Sequence, residues 1–126
     1  MTVVLVVDDD ASIRGLICAA LAGPRRELVE ARDGNEALEK AGRLRPDLVV
    51  LDWRLPGATG FEVLTELKRG NPALKVVFVS AELRSSEGGL AHVFGADAFL
   101  EKPFSAQQLC EVVDVLLGDG EVDQAT

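Results

Sequence analysis

An α/β fold, a (βα)5 unit built on a doubly wound parallel five-stranded sheet, is what this sequence predicts. Three observations carry it. Short aliphatic runs alternate with helix-periodic segments from one end of the chain to the other. Runs such as Val3–Val7 (VVLVV), Leu48–Leu51 (LVVL) and Lys75–Val79 (KVVFV) are apolar with little alternation, as strands covered on both faces require. Each run also ends on a reactive side chain: Asp8 and Asp9, then Asp52, then Ser80, while Ala98–Leu100 leads through Glu101 to Lys102. Right-handed crossovers between such strands place helices on both faces of one sheet.

The elements follow in order. After the first strand, Ile13, Leu16, Ile17, Ala20 and Leu21 recur at helical spacing and form one stripe, which Gly23-Pro24 ends. Glu27–Ala31 alternates like a half-exposed edge strand. Asp33 or Asn35 caps a helix from Glu36 to about Arg43, which must stop before Pro46. Asp47–Asp52 is the third strand. A loop with Pro56, Gly57 and Gly60 precedes a helix that packs Phe61, Val63, Leu64 and Leu67, and Gly70-Asn71-Pro72 closes it. A fourth helix near Ser85–Phe94 is weakened by Gly88 and Gly89, each costing about 1 kcal/mol against alanine. The last helix spans about Ala106–Leu117, with Ser105 as cap. Residues 1–117 then form one domain and 118–126 a polar tail.

A chain of 126 residues, 48% apolar, fills one core. Its net charge of −8 argues against direct binding to nucleic acid or a membrane surface, both of which need a basic face. No run approaches the roughly 20 apolar residues of a membrane span, and VVLVV is too short for a signal-peptide core. Cys18 and Cys110 lack metal or redox spacing, and free thiols suit a cytoplasmic setting.

In parallel α/β sheets, ligands sit beyond the carboxyl ends of the strands. Asp8, Asp9 and Asp52 at adjacent strand ends repel one another until one protonates or a cation enters. Hard oxygen donors with room for water favour Mg2+ over Zn2+. A carboxylate beside Mg2+ and a lysine can attack a phosphoryl group, because both cations offset charge on the transferring oxygens. Ser80 can donate a hydrogen bond to the same oxygens, and Lys102 adds a point charge. Taken singly, each residue has a plainer explanation. The aspartates near residue 9 serve as helix caps, Asp52 as strand-end punctuation, Ser80 as a turn residue and Lys102 as a solvated charge. His92, the only histidine, lacks a partner in a ligand pattern and reads as a surface residue. Convergence on one sheet edge favours the site.

At these residues the sequence resembles the receiver domain of two-component response regulators. VVDDD, LDWRLPGATG, VSAE and EKPF stand in order at suitable spacing, and the likeness covers roughly Thr2 to Leu117. The resemblance implies a flavodoxin-like sheet of order 2-1-3-4-5 and a phosphoacceptor at Asp52. It implies Mg2+, with Mn2+ as alternative, on Asp9, Asp52 and the Arg54 backbone carbonyl, Asp8 acting mainly through water. It makes Ser80 the switch hydroxyl, Lys102 the phosphate-contacting lysine, Phe99 the aromatic switch and Lys102-Pro103 a cis peptide. The chain departs from the pattern at Ser80, where Thr is usual, at Phe99 for Tyr, and at Thr59 for an acidic or amide residue.

Two expectations go beyond the family pattern. Arg54 and Glu82, two residues past Asp52 and Ser80, form the rim of the pocket with Ala81 and pair over it, hindering the attacking water. Val112 and Val115 widen the apolar arc of the last helix into a partner or self-association face beside Phe99. The expected function is a phosphorylation-controlled switch and not an enzyme with an external substrate. Its partners would be a histidine kinase or phosphotransfer protein and a downstream protein target, with the chain a monomer or a phosphorylation-dependent dimer. It would act by contact, or as the N-terminal piece of a longer regulator. One alternative is an aspartyl-phosphate phosphatase or phosphotransferase, disfavoured because Arg54 stands where such enzymes need a second acid. The other is a receiver-like module that is never phosphorylated, which predicts the loss of an acid, the hydroxyl or the lysine.

Overall fold

The computed structural model describes residues 1–80 and 95–118. Five strands, β1 (Thr2–Val7), β2 (Arg26–Ala31), β3 (Leu48–Asp52), β4 (Lys75–Ser80) and β5 (Ala98–Glu101), form one sheet in the order β2-β1-β3-β4-β5. Every pairing in it is parallel. Four helices are described: α1 (Ala11–Leu21), α2 (Gly34–Leu44), α3 (Gly60–Gly70) and the last helix, Ala106–Leu117. The expected helix near Ser85–Phe94, with Gly88, Gly89 and His92, lies outside the described residues, as do Ala81, Glu82 and tail residues 119–126.

Strand alternation divides the core in two. Leu5, Val7, Val49, Leu51, Val76 and Phe78 pack under α2 and α3 with Ala37, Val63, Leu64 and Leu67. Val4, Val6, Leu48, Val50, Val77 and Val79 pack under α1 and the last helix with Ile17, Leu21, Leu109 and Val113. This double covering is why the central strands read as continuous apolar runs. β2, at the edge, does not alternate as expected: Leu28 and Val29 are both partly buried, one against each cluster, and of its six residues Ala31 alone is fully buried.

The helix ends follow from local chemistry. Asp10 caps α1 by accepting from the Ser12 and Ile13 amides, and Asp33 caps α2 by accepting from Glu36. Capping boxes start α3 (Thr59 with Glu62) and the last helix (Ser105 with Gln108). Gly118 ends the last helix in the left-handed region, at φ 82°, which glycine adopts without steric cost. Thr59, which stood out in the sequence as a departure, therefore starts a helix.

Three expectations are corrected. Leu16 does not join the buried stripe of α1; it is 71% exposed, while Ile17 and Leu21 are buried. It sits at the margin of the stripe and overhangs a groove between α1 and the last helix. The segment after Asp52 is not plain loop, because Arg54–Leu55 and Ala58–Thr59 pair antiparallel around Gly57, whose φ is 77°. Phe99 and Val112 do not share a layer. Phe99 packs with the cluster under α2 and α3, and Val112 with the opposite one.

Candidate functional site

The strand register builds the site. Val7 pairs with Leu51, so the chains leave β1 and β3 side by side at Asp8 and Asp52. Asp52 pairs with Val79 and Ser80 with Glu101, which sets Ser80 and Lys102 one step further along the same edge. Carboxylate oxygens of Asp8, Asp9 and Asp52 lie within 4.8 Å of one another. The Lys102 ammonium stands 3.0 Å from Asp8 Oδ2 and 3.4 Å from Asp52 Oδ2, one cation shared by two acids.

Burial decides what each acid can do. Asp8 and Asp52 are buried and Asp9 is exposed. Asp8 has a partner for every polar atom. Its amide donates to Ala31 O (3.1 Å), its carbonyl accepts from Arg14 (2.7 Å), Oδ1 accepts from the Asp10 amide (2.9 Å) and Oδ2 from Lys102. Asp52 is held more loosely, by Lys102 and by the Arg54 amide at 3.2 Å. Burial, and then the charge of Asp8, push the Asp52 carboxyl up to about 6, against the pull of Lys102 and the Arg54 amide. Burial lowers the Lys102 ammonium, but its hydrogen bond to Asp8 and the charges of Asp52 and Asp8 outweigh that and leave it above its ordinary value. One ammonium thus fails to relieve two buried carboxylates. Oxygen donors carrying excess negative charge suit a hard divalent cation.

Gly60 fixes the floor. A Cβ there would come within 2.8 Å of Asp52 O and of Phe78 Cε1, and 2.9 Å of Trp53 Cα. Its amide donates to Trp53 O at 2.7 Å, so α3 begins pressed against the backbone that carries Asp52. Trp53 stacks edge-on against Phe78, with ring centroids 5.1 Å apart. Ser80 is buried, and its carbonyl accepts from the Lys102 amide at 2.8 Å. The Lys102-Pro103 peptide is cis.

A family model described as the response regulator receiver domain matches residues 4–114. This chain belongs to that family. It is 34% identical over 119 residues to the alkaline phosphatase synthesis transcriptional regulatory protein PhoP of Bacillus subtilis, a match covering 94% of this chain and 50% of that protein. It is 35% identical over 108 residues to the phosphate regulon transcriptional regulatory protein PhoB of Escherichia coli, covering 84% and 47%. The chain spans about half the length of these curated relatives. Among solved structures, the receiver domain of NtrX from Brucella abortus superposes with TM-score 0.85 at 36% identity, covering 91% of this chain and 98% of that one. The chemotaxis protein CheY4 of Vibrio cholerae gives 0.85 at 30%, covering 92% and 98%.

Within this receiver domain the structure gathers Asp8, Asp9, Asp52, Ser80 and Lys102 at one sheet edge. Arg54 is exposed beside Asp52, and its expected partner Glu82 lies outside the described residues, as does Ala81. Val112 and Val115 line a shallow surface with Asp97, Ala98, Glu111 and Leu116, away from Phe99. Two contributors escaped the sequence reading. Gly60 read as ordinary loop, although an absent Cβ beside the nucleophile candidate was the available signal. Arg14 gave none, because its acid partner Glu30 is sixteen residues away.

Proposed function

We propose that this receiver domain is the phosphoacceptor switch of a two-component phosphorelay, with Asp52 as the group that accepts phosphate. The supporting observation is the site's charge balance: two buried carboxylates share one ammonium, and a third acid lies within 4.8 Å of both. Asp9, Asp52 and the Arg54 carbonyl would hold Mg2+, or Mn2+ in its place, with Asp8 acting mainly through water, as the receiver-domain resemblance implies. When bound, the cation supplies positive charge against the transferring oxygens.

The donor is the phosphohistidine of a histidine kinase or phosphotransfer protein. An Asp52 oxygen attacks phosphorus, the P–N bond breaks with its electron pair going to the imidazole nitrogen, and an acyl phosphate P–O bond forms. A carboxyl near 6 is still mainly ionised at neutral pH and so competent to attack. Lys102 then follows the new charge, Ser80 donates to a phosphoryl oxygen, and Phe99 turns inward. The substrate is the chain's own aspartate, so turnover is confined to self-phosphorylation and its hydrolysis. A groove of about 450 Å3, lined by Ile13, Leu16, Ile17, Pro103, Phe104 and Leu109, adjoins Lys102 and fits an apolar helix of the donor. Output passes through a downstream protein target, or a second copy, on the face carrying Val112 and Val115. The free thiols of Cys18 and Cys110 fit a cytoplasmic protein.

The test is direct. Titrating Mg2+ and then a small phosphodonor should change Trp53 fluorescence and add one phosphoryl mass, and Asp52→Asn should abolish the mass gain. A wild type that responds to neither ligand refutes the proposal.

A further inference from the structure

The mechanism above leaves one well-placed cation unused. Arg14, on the first turn of α1, donates from one guanidinium nitrogen to the Asp8 carbonyl at 2.7 Å and from Nε to Glu30 Oε1 at 3.0 Å. Its side chain is largely buried, while that of Glu30 is half exposed. Glu30 closes the edge strand β2, and its own carbonyl accepts from Lys40 of α2 at 2.6 Å. Lys40 pairs with Glu36 at 3.3 Å, and Glu36 accepts from the Arg32 amide at 2.7 Å. A continuous chain of polar contacts therefore runs from the Asp8 main chain across β2 to α2.

Resting on the reading of Asp8, Asp9 and Asp52 as a Mg2+ site, we infer that Arg14, braced by Glu30, is a positioning residue for that site. The geometry gives it this task for two reasons. The planar guanidinium reaches the carbonyl and the carboxylate at once from a fixed fork, which an ammonium cannot reproduce. It binds a main-chain atom of Asp8 and not its carboxylate, so the cation steadies the turn without competing for the carboxylates. With the carbonyl fixed, the turn that presents Asp8 and Asp9 has one orientation, and Asp8 can hold its water-mediated contact. Outer contacts that orient metal ligands are worth about 10- to 100-fold in affinity. A main-chain contact several bonds removed from the carboxylate belongs at the lower end.

Mg2+ titrations of the full chain, followed by Trp53 fluorescence at constant ionic strength after EDTA stripping, decide the matter. Arg14→Ala should weaken Mg2+ binding about 10-fold, Arg14→Lys should recover only part of that, and Glu30→Gln should weaken it a few-fold. Glu30→Gln keeps the inference testable should Arg14→Ala not fold. The control is Arg26→Ala, which removes an ion pair of 2.5 Å to Asp114 at the far end of the same edge strand. It should lower the melting temperature yet leave Mg2+ affinity unchanged. Arg14→Ala and Glu30→Gln with wild-type affinity would overturn the inference, as would an equal loss in Arg26→Ala. A wild type without any Mg2+ response would overturn the proposed function and this inference together.

Discussion

Replacing Asp52 by Asn should stabilise the metal-free protein, although it removes the reacting group. The folded state lifts this carboxyl from 3.8 to about 6, burial being the main cause and Asp8 the second. A raised acid pKa means that the folded chain binds the proton more tightly than the unfolded chain. Stability therefore falls as pH rises from about 4 through 6, and the deficit is complete above it. A gap of roughly two pH units corresponds to about 3 kcal/mol at most. The side chain is only 10% exposed, so solvent screening trims this modestly. A gain of roughly 1–3 kcal/mol, or about 4–12 °C in melting temperature, is expected at pH 7.5 in EDTA. Asn cannot ionise, so the gain should shrink towards pH 4, and it should shrink again at saturating Mg2+, where the cation relieves the wild type. Thermal unfolding by circular dichroism at both pH values, with and without Mg2+, measures all of this. A variant no more stable than wild type at pH 7.5, or a gain equal at both pH values, would refute the electrostatic reasoning.

Gly60→Ala forces a methyl group against Asp52 O and Phe78, and should cost about 1–3 kcal/mol in denaturant unfolding while weakening the Mg2+ response of Trp53. Arg54→Ala should speed loss of the acyl phosphate several-fold if Arg54 and Glu82 together screen the attacking water; an unchanged decay rate, followed by mass spectrometry, would remove that role. Val115, 61% exposed on the last helix, should tolerate Lys with less than about 0.5 kcal/mol change in stability. The same substitution should disrupt partner binding or dimerisation on phosphorylation, and a phosphorylated variant indistinguishable from wild type by light scattering and pull-down would discard this face.

How much of this was legible in the sequence depended on the range of the interaction concerned. The parallel sheet and the gathering of Asp8, Asp52 and Lys102 at its carboxyl end follow from buried strands and right-handed crossovers, which leave traces in local pattern, whereas the strand order was implied only by the receiver-domain resemblance. Ser105 was readable as a cap because a capping box spans four residues. Leu16 was misplaced because periodicity gives a stripe but not its width; a residue at the margin is buried only if a neighbouring helix reaches it. Phe99 and Val112 were put on one face because helix and strand periodicities are each readable, whereas their relative phase is set by packing. Arg14 was invisible for a similar reason, since its role exists only once the edge strand has brought Glu30 alongside α1.

The same contrast explains how the site can act as a switch. Asp8 is fixed through its amide, its carbonyl and both carboxylate oxygens, by partners on β2, α1, its own turn and the segment after β5. Among the described residues, the Asp52 carboxylate is held by the Arg54 amide and the longer of the two Lys102 contacts. Lys102 thus bridges the two buried acids and stands nearer to Asp8 than to Asp52. Added charge on Asp52 would alter the competition for that ammonium between the two buried acids. A two-state response is driven only by differential interaction with the two states. Under the proposed phosphorylation, the difference would be a shift of a single ammonium from Asp8 towards the newly charged Asp52. Lys102 begins one residue past Glu101, which pairs with Ser80. Under the proposed phosphorylation, its displacement would pull on β5 and on the end of β4 at once.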